Sequence, residues 1–276
     1  MLMDPLRETF TLKTANRSEL VHNDFIETYL AGFIKVDLDD LNTIALMKRY
    51  DIKFVFHVSR LLSVLDRLYR DYAVLEIDNK RVFQYRNQYF DTEDYFFYHQ
   101  HHNQKFCRYK IRCRNYVDTG RSYFEVKCKT NRKKTIKSRL LLDDQQFGPE
   151  LTEEAKAFAR QCLRNGNGQK IDRIKPSLVV NYNRMTLASL QNNERITFDV
   201  NLTYSDQACS LKLDHLAIAE LKSPRLLMKS PFFQSLKELQ IFPAQFSKYC
   251  MGIVLMEKNV KYNRFKHNMS LLRKIA

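Results

Sequence analysis

The stretch KFCRYKIRCRNY, Lys105 to Tyr116, alternates between two kinds of side chain almost without a break. Successive side chains on a strand point to opposite faces of its sheet. Arg108, Lys110, Arg112 and Arg114 therefore share one face, with Tyr109, Ile111 and Cys113 on the other. YFEVKCKT, Tyr123 to Thr130, repeats the pattern: Glu125, Lys127 and Lys129 oppose Phe124, Val126 and Cys128. Gly120, between them, marks a hairpin connection.

Working outward, the same period recurs. Met47 to Phe56 reads as a strand with Arg49, Asp51 and Lys53 opposite Tyr50, Ile52 and Phe54. Val82 to Asp91, Lys137 to Leu142 and Leu178 to Met185 follow, the last placing Tyr182 beside Arg184. In Arg195 to Leu202, Arg195, Thr197, Asp199 and Asn201 line up against Ile196, Phe198 and Val200. In Leu216 to Leu221 and just beyond, Glu220 and Lys222 oppose Ala219 and Leu221.

Helices read between and after the strands. Ser59 is placed to cap one running to Tyr72, with Leu61, Leu65 and Leu68 on its buried face. Thr152 to Leu163 carries Glu153 and Glu154 in its first turn and meets Asn165-Gly166-Asn167-Gly168 at its end. Pro231 to Ile241 and Gln245 to Met256 are the last two. Residues 1–43 read as an N-terminal segment, 44–258 as one domain, and 259–276 as a basic, mobile tail. Strands outnumber helices and lie close enough for antiparallel pairing, which predicts an α+β fold.

Composition bounds the function. The chain has 276 residues, 46 Lys and Arg against 31 Asp and Glu, and a net charge of +15. That balance points to an anionic partner: nucleic acid, membrane surface, nucleotide or polyphosphate. The six cysteines form no C-x-x-C pair, and fit reduced thiols in a cytoplasmic protein. No run of about 18 apolar residues encodes a membrane span.

A solvated strand face normally mixes signs, because like charges opposite one another repel. These faces are mostly cationic. If the sheet closes into an antiparallel β-barrel with helices outside, the cations point inward. Unpaired buried charge costs several kcal/mol, about, per ion, so the interior must hold water and a polyanion. Arg offers a planar fork to phosphate oxygens and Lys a compact point charge. One or two carboxylates among them would hold a divalent metal.

This arrangement resembles the triphosphate tunnel metalloenzyme (CYTH-like) superfamily, and within it the VTC-type polyphosphate polymerase domain. Nine segments stand in the family's order: Arg49 to Phe54, Tyr89 to Thr92, Lys110 to Tyr116, Phe124 to Lys129, Lys137 to Arg139, Tyr182 to Arg184, Arg195 to Asp199, Glu220 to Lys222 and Phe246 to Tyr249. The resemblance implies a closed tunnel barrel flanked by helices. It implies transfer of the γ-phosphate of ATP onto a growing polyphosphate chain, with release of ADP. Lys53, Arg112, Arg114, Lys127, Arg184, Arg195 and Lys222 match the phosphate-binding wall, and Lys248 a helix lysine at the tunnel. Lys110, Lys129, Lys137 and Tyr182 are expected to contact substrate. Glu220 matches a carboxylate expected to hold Mn²⁺ or Mg²⁺, with Glu125 and Asp51 as weaker candidates that could instead pair with neighbouring cations.

Two departures matter. Many hydrolases of the superfamily carry Glu-x-Glu-x-Lys in the first strand, where this chain has Arg49-x-Asp51-x-Lys53. Losing one carboxylate weakens the case for a second metal and an activated water, and favours polymerase over triphosphatase. The regulatory and membrane domains of the familiar eukaryotic polymerases have no counterpart, which leaves a membrane partner open. A metal-dependent triphosphatase remains the alternative within the fold. A non-catalytic polyanion or nucleic-acid binder is the alternative outside it, disfavoured because the aromatics alternate onto the apolar face. His99, His101 and His102 read as an exposed loop without metal, and Asn131-Arg132-Lys133-Lys134 as a basic turn near the tunnel mouth.

Overall fold

The computed structural model describes residues 23–43, 50–131, 134–143, 148, 150–167, 173–189, 191–224 and 227–276. In chain order the helices are α1 (Asn23–Leu30), α2 (Leu38–Thr43), α3 (Leu61–Asp66), α4 (Phe96–His102), α5 (Glu153–Asn167), α6 (Pro231–Glu238), α7 (Lys248–Met256) and α8 (Lys266–Ile275). The strands are β1 (Lys35–Val36), β2 (Tyr50–His57), β3 (Ala73–Leu75), β4 (Val82–Asp91), β5 (Arg108–Tyr116), β6 (Ser122–Lys129), β7 (Thr135–Leu142), β8 (Lys175–Ser189), β9 (Glu194–Ser205), β10 (Ser210–Leu213) and β11 (Leu216–Ser223). They form one α+β sheet in the order β2-β11-β9-β8-β4-β5-β6-β7, antiparallel throughout that path.

The expected closure is not found among the described residues. The path ends at β2 and β7, and no pairing joins them among the described residues. The sheet nevertheless curls round a cavity of about 1020 Å³, to which β2 and β11 contribute from one side and β5 and β6 from the other.

Each face has its own covering. Outside, Phe54, Ile196, Phe198, Val200 and Leu221 meet α1, α3 and α6 through Ile26, Leu30, Leu65 and Phe232. Tyr109, Ile111, Phe124 and Val126 meet α4 and α5 through Phe97, Ala155, Ala159 and Leu163. Cys113 and Cys128 are buried in that second layer, as their alternation predicts. Ile26 and Leu30 put part of the N-terminal segment into the same core as β2.

Inside, polarity changes along the strands. The β8–β9 register shifts between Asn181 and Asn183, and Asn201 takes a φ of 54°. An extra residue at such a bulge reverses which side chains face inward. Asn201 thus leaves the row of Asp199, and Leu202 and Tyr204 join Leu178, Val180 and Ile218 in one apolar patch. Helix α7 fills this end with Cys250, Met251, Ile253 and Val254. Gly252 permits the approach: a Cβ there would lie 2.3 Å from Leu178 Cδ2 and 2.7 Å from Tyr204 Cδ1. Ser247 caps the helix by accepting from the Cys250 amide, so the helix N-terminus looks into the polar part of the interior.

Other local expectations shift. Met47 to Arg49 lie outside the described residues. Ser59 caps nothing; the His57 ring accepts from the Ser59 amide, a 3-10 turn covers Val58–Arg60, and the helix stops at Asp66, although Leu68 and Tyr72 are still buried. Helix α5 continues to Asn167, through Gly166. The supposed tail folds as a turn, Asn263–Phe265, and helix α8, which buries Met269 and Leu272. Two such side chains contribute roughly 3–6 kcal/mol towards docking the helix, before ordering costs.

Candidate functional site

The strand register sorts the inner face into rows. Lys110, Lys127 and Lys137 stand directly opposite one another across β5, β6 and β7. The next row is Arg112, Glu125 and Arg139; at the other end Arg108 opposes Lys129. Like charges in register are destabilising. Glu125 in the next row pairs with Lys137, and the row of three lysines as a whole suits an anion entering from the cavity.

The carboxylates are spaced so that each serves two cations. Glu125 accepts from Arg112 Nε at 2.8 Å and Nη2 at 2.7 Å, and pairs with Lys137. Asp199 takes a two-point contact from Arg184, at 2.6 and 2.8 Å, and pairs with Lys248. Glu220 accepts from Lys53 at 3.0 Å and Lys222 at 3.3 Å. Arg114 donates to Asn87 Oδ1 at 2.9 Å and to the Tyr182 hydroxyl at 3.0 Å, and Lys110 donates to Ser247 Oγ at 2.9 Å. Arg195 stands opposite Lys222 in the β9–β11 register, and Asp51 opposite Lys222 in the β2–β11 register.

These contacts set the charge states. Burial alone would raise the Glu125 carboxyl, but Arg112, Arg114 and Lys137 outweigh it and bring it to about 2. Asp199 is brought to about 2 in the same way, burial being outweighed by Arg184 and Lys248. Glu220 is held well below its usual range: Lys222, Lys53 and Arg184 overcome its burial. Burial and neighbouring cations, only partly offset by Cys250, lower the Lys110 ammonium to about 8. Lys222 is also lowered to about 8, burial outweighing the attraction of Glu220. Lys127 moves down for the same first reason, although water reaches its side chain inside the cavity.

The strand cations and carboxylates singled out from the sequence, among the described residues, share this inner face, and Lys248 reaches it from helix α7. Lys53, Asp51, Lys110, Lys127, Lys129 and Glu220 line the cavity. Arg112, Lys137 and Glu125 form one network beside it, and Arg114, Tyr182, Arg184, Asp199 and Lys248 another, joined through the Arg114–Tyr182 hydrogen bond and the Lys248 contact over the Tyr182 ring. Asn131 and Lys134 flank the cavity-lining Thr130 and Thr135, while Arg132 and Lys133 lie outside the described residues.

Two expectations are overturned. The histidines sit on helix α4, where His102 is buried and His101 Nε2 bonds the Tyr109 carbonyl at 2.9 Å. The apolar faces also do not take all the aromatics. Tyr85 stacks on Tyr182 at 5.3 Å, Tyr116 meets Tyr85 edge-on at 5.0 Å, and Tyr123 meets Tyr116 at 6.0 Å. Arg184 and Arg114 lie over Tyr85, Lys248 over Tyr182, and Arg139 over Tyr123. These rings hold the cations in place through cation–π contacts. The sequence signal was available: Tyr85 and Asn87 share a parity with Tyr89, and Tyr123 with Glu125. Asp199 and Ser247 were also passed over as site residues, though each adjoins a recognised position.

Among the described residues no group of three His, Cys, Asp or Glu side chains forms a ready-made metal cage. Glu125 is 3% exposed and held between Arg112 and Lys137 away from the cavity lining, so it suits a metal poorly. Glu220 is also held between two cations, but it lines the cavity, and the Thr197 hydroxyl opposite it in the register is buried without a partner among the described residues. Magnesium-type ions are commonly held by one or two carboxylates completed by substrate phosphates and water.

A family model described as VTC domain matches residues 48–257. No curated protein matches at a significant level. Among solved structures, HpAC1 from Hippeastrum, described as having a dominant triphosphatase activity, is similar at 12% identity and a TM-score of 0.46, covering 75% of this chain and 96% of its own. PH1012 from Pyrococcus horikoshii is similar at 14% identity and a TM-score of 0.32, covering 77% and 94%. A conserved hypothetical protein from Pyrococcus furiosus is similar at 12% identity and 0.36, covering 71% and 98%.

Proposed function

The chain belongs to the VTC domain family, and on that premise we propose that it is a polyphosphate polymerase. The γ-phosphoryl group of ATP passes to the terminal oxygen of a polyphosphate chain. A bond forms between that oxygen and the γ-phosphorus, the bond to the β-phosphate oxygen breaks, and ADP leaves.

The observation that carries the reading is the row Lys110, Lys127 and Lys137, beside a cavity of about 1020 Å³. Pockets for drug-sized ligands span roughly 300–1,000 Å³, so this one has room for a phosphate chain beyond a nucleotide's own. Phosphoryl transfer asks mainly for positioning and charge neutralisation. Lys53, Lys110, Lys127, Lys129 and Lys222 supply mobile point charges; Arg112, Arg114 and Arg184 supply fixed forks held by Glu125, Asn87 and Asp199. Lys137, Arg195 and Lys248 complete the wall, and the N-terminus of α7 adds its dipole at Ser247. Tyr182 orients Arg114 and lies under Lys248.

Glu220 would hold Mn²⁺ or Mg²⁺, which supplies charge neutralisation across adjacent phosphates. Glu125 and Asp199 are each committed to two cations, which suits neither to activating water. Among the described residues no helix is long and apolar enough to cross a membrane.

The test is incubation with ATP and Mn²⁺, with and without a short polyphosphate primer, resolved on a phosphate-chain gel. A lengthening ladder with matching ADP, lost in Lys222→Ala, is expected. Orthophosphate without chains would make the protein a triphosphatase. Tight phosphate binding without turnover would make it a polyanion binder.

A further inference from the structure

The chain beyond residue 257, where the family match ends, is bound to the domain by specific contacts. Tyr98 donates its hydroxyl proton to the Lys261 carbonyl at 2.5 Å. His102 Nε2 bonds Asn263 Oδ1 at 2.6 Å, and Asn268 Nδ2 donates to the Gln245 carbonyl. The Phe265 ring packs against Tyr98 and His102 at 6.0 and 5.9 Å.

These contacts fix where Arg264 stands. It is exposed, and it lines the same cavity as Lys53 and Glu220. The lining runs from the part-buried Lys110 and Glu220 out to exposed Phe106, Thr135 and Arg264. Among the described residues its only carboxylates are Asp51 and Glu220, on β2 and β11. The outer part therefore carries Arg108, Lys129 and Arg264 with no acid of its own, and Arg108 and Lys129 are directly opposed in the register.

We infer that Arg264, with Arg108 and Lys129, forms an outer anion subsite that binds the distal phosphates of a linear inorganic polyphosphate whose inner end is held at Lys53, Lys127 and Lys110. This rests on the reading of the cavity as a phosphate-chain site, but not on polymerase chemistry. The subsite selects by length. Arg108 and Lys129 lie only two residues along β5 and β6 from Lys110 and Lys127, within reach of a triphosphate, so the selection by length falls to Arg264: a long chain engages it as well and gains that contact as an intramolecular event. The C-terminal segment thereby has a role in substrate recognition.

The experiment measures equilibrium binding of inorganic tripolyphosphate and of long-chain polyphosphate to the full chain. The variants are Arg264→Glu, Arg264→Lys, and Lys258→Ala as an exposed control that does not line the cavity. Arg264→Glu is expected to weaken long-chain binding by about tenfold or more, as loss of a charge-assisted contact would. It leaves tripolyphosphate binding within about twofold, because screening leaves only a weak long-range term. Arg264→Lys retains most of the long-chain affinity, and Lys258→Ala changes neither ligand. An unchanged melting temperature for each variant ties the effect to the subsite. Equal loss for both anions, or no loss for either, overturns the inference. Selective loss in a protein that makes no chains would leave the subsite standing and remove the polymerase reading. Failure of the unaltered protein to bind either anion would remove both.

Discussion

Arg112 and Glu125 face one another across β5 and β6, and both Nε and Nη2 of the guanidinium donate to the same carboxylate oxygen, Oε2. The other oxygen serves Lys137. Glu125 is thus an internal counter-ion that spaces two cations, in keeping with its weaker standing as a metal ligand.

Glu125→Gln should for this reason be a stability variant. Removing one member of a buried ion pair costs roughly 3–5 kcal/mol, and here it leaves Arg112 and Lys137 repelling each other. The expected result is a markedly lower melting point, partly restored by tripolyphosphate, with the metal concentration for half-maximal turnover unchanged. A shift in that metal concentration would return Glu125 to the metal site.

Glu220→Gln should behave in the opposite way. Its carboxylate lines the cavity between Lys53 and Lys222. Removing the charge makes the interior more cationic, so tripolyphosphate binding without metal holds or tightens while Mn²⁺-dependent turnover falls by at least a hundredfold, about the loss of 2.7 kcal/mol of transition-state stabilisation. Calorimetry and a metal-titrated activity assay read the two arms. Full activity in the variant would exclude Glu220 as the metal carboxylate.

Anion affinity should fall as pH rises through about 8, where Lys110 and Lys222 lose their protons in the empty protein. A bound polyanion favours their charged forms, so binding above that pH takes up protons. Calorimetry in buffers of different ionisation enthalpy reports the uptake directly. The sign for stability is the reverse. The folded-state values lie below the ordinary 10.5, so between about 8 and 10.5 the unfolded chain binds more protons and these two groups make the empty fold more stable as pH rises. A flat affinity from pH 7 to 10 would mean the two lysines do not contact the anion.

Gly252→Ala should lower stability by about 1–3 kcal/mol, the usual cost of overpacking. The new methyl would meet Leu178 and Tyr204, and α7 would have to move outward, taking Ser247 and Lys248 with it. Denaturant melts give the first effect, and weaker tripolyphosphate binding gives the second. A variant as stable as the parent would mean that α7 has slack at this crossing.

The strand faces were legible because a period of two is a local property: Arg108 to Arg114 and Glu125 to Lys129 align whatever surrounds them. The bulge at Asn181 and Asn201 was not, since nothing in either strand alone says that one residue must be left unpaired. For that reason the inward turn of Leu202 and Tyr204, and with it the apolar seat of α7, was invisible. Closure could not be read either, because it depends on how far eight strands curl. Helix α8 was missed although Met269 and Leu272 carry a helical spacing, since the charges around them suggested a solvated tail. FFYHQHH does not read as a helix because its three histidines make a short segment look polar, although Phe97 and Tyr98 bury it.

The lysine row has a consequence for how long the protein lasts. Strand β7 lies at an end of the sheet, is largely exposed, and contributes Lys137 to a line of like charges. Glu125 holds Lys137, yet an exposed edge strand is where local opening begins and where a protease cuts. On the reading of the cavity as a phosphate-chain site, a bound chain would act as a clasp on that edge, and the loaded protein would outlast the empty one under protease.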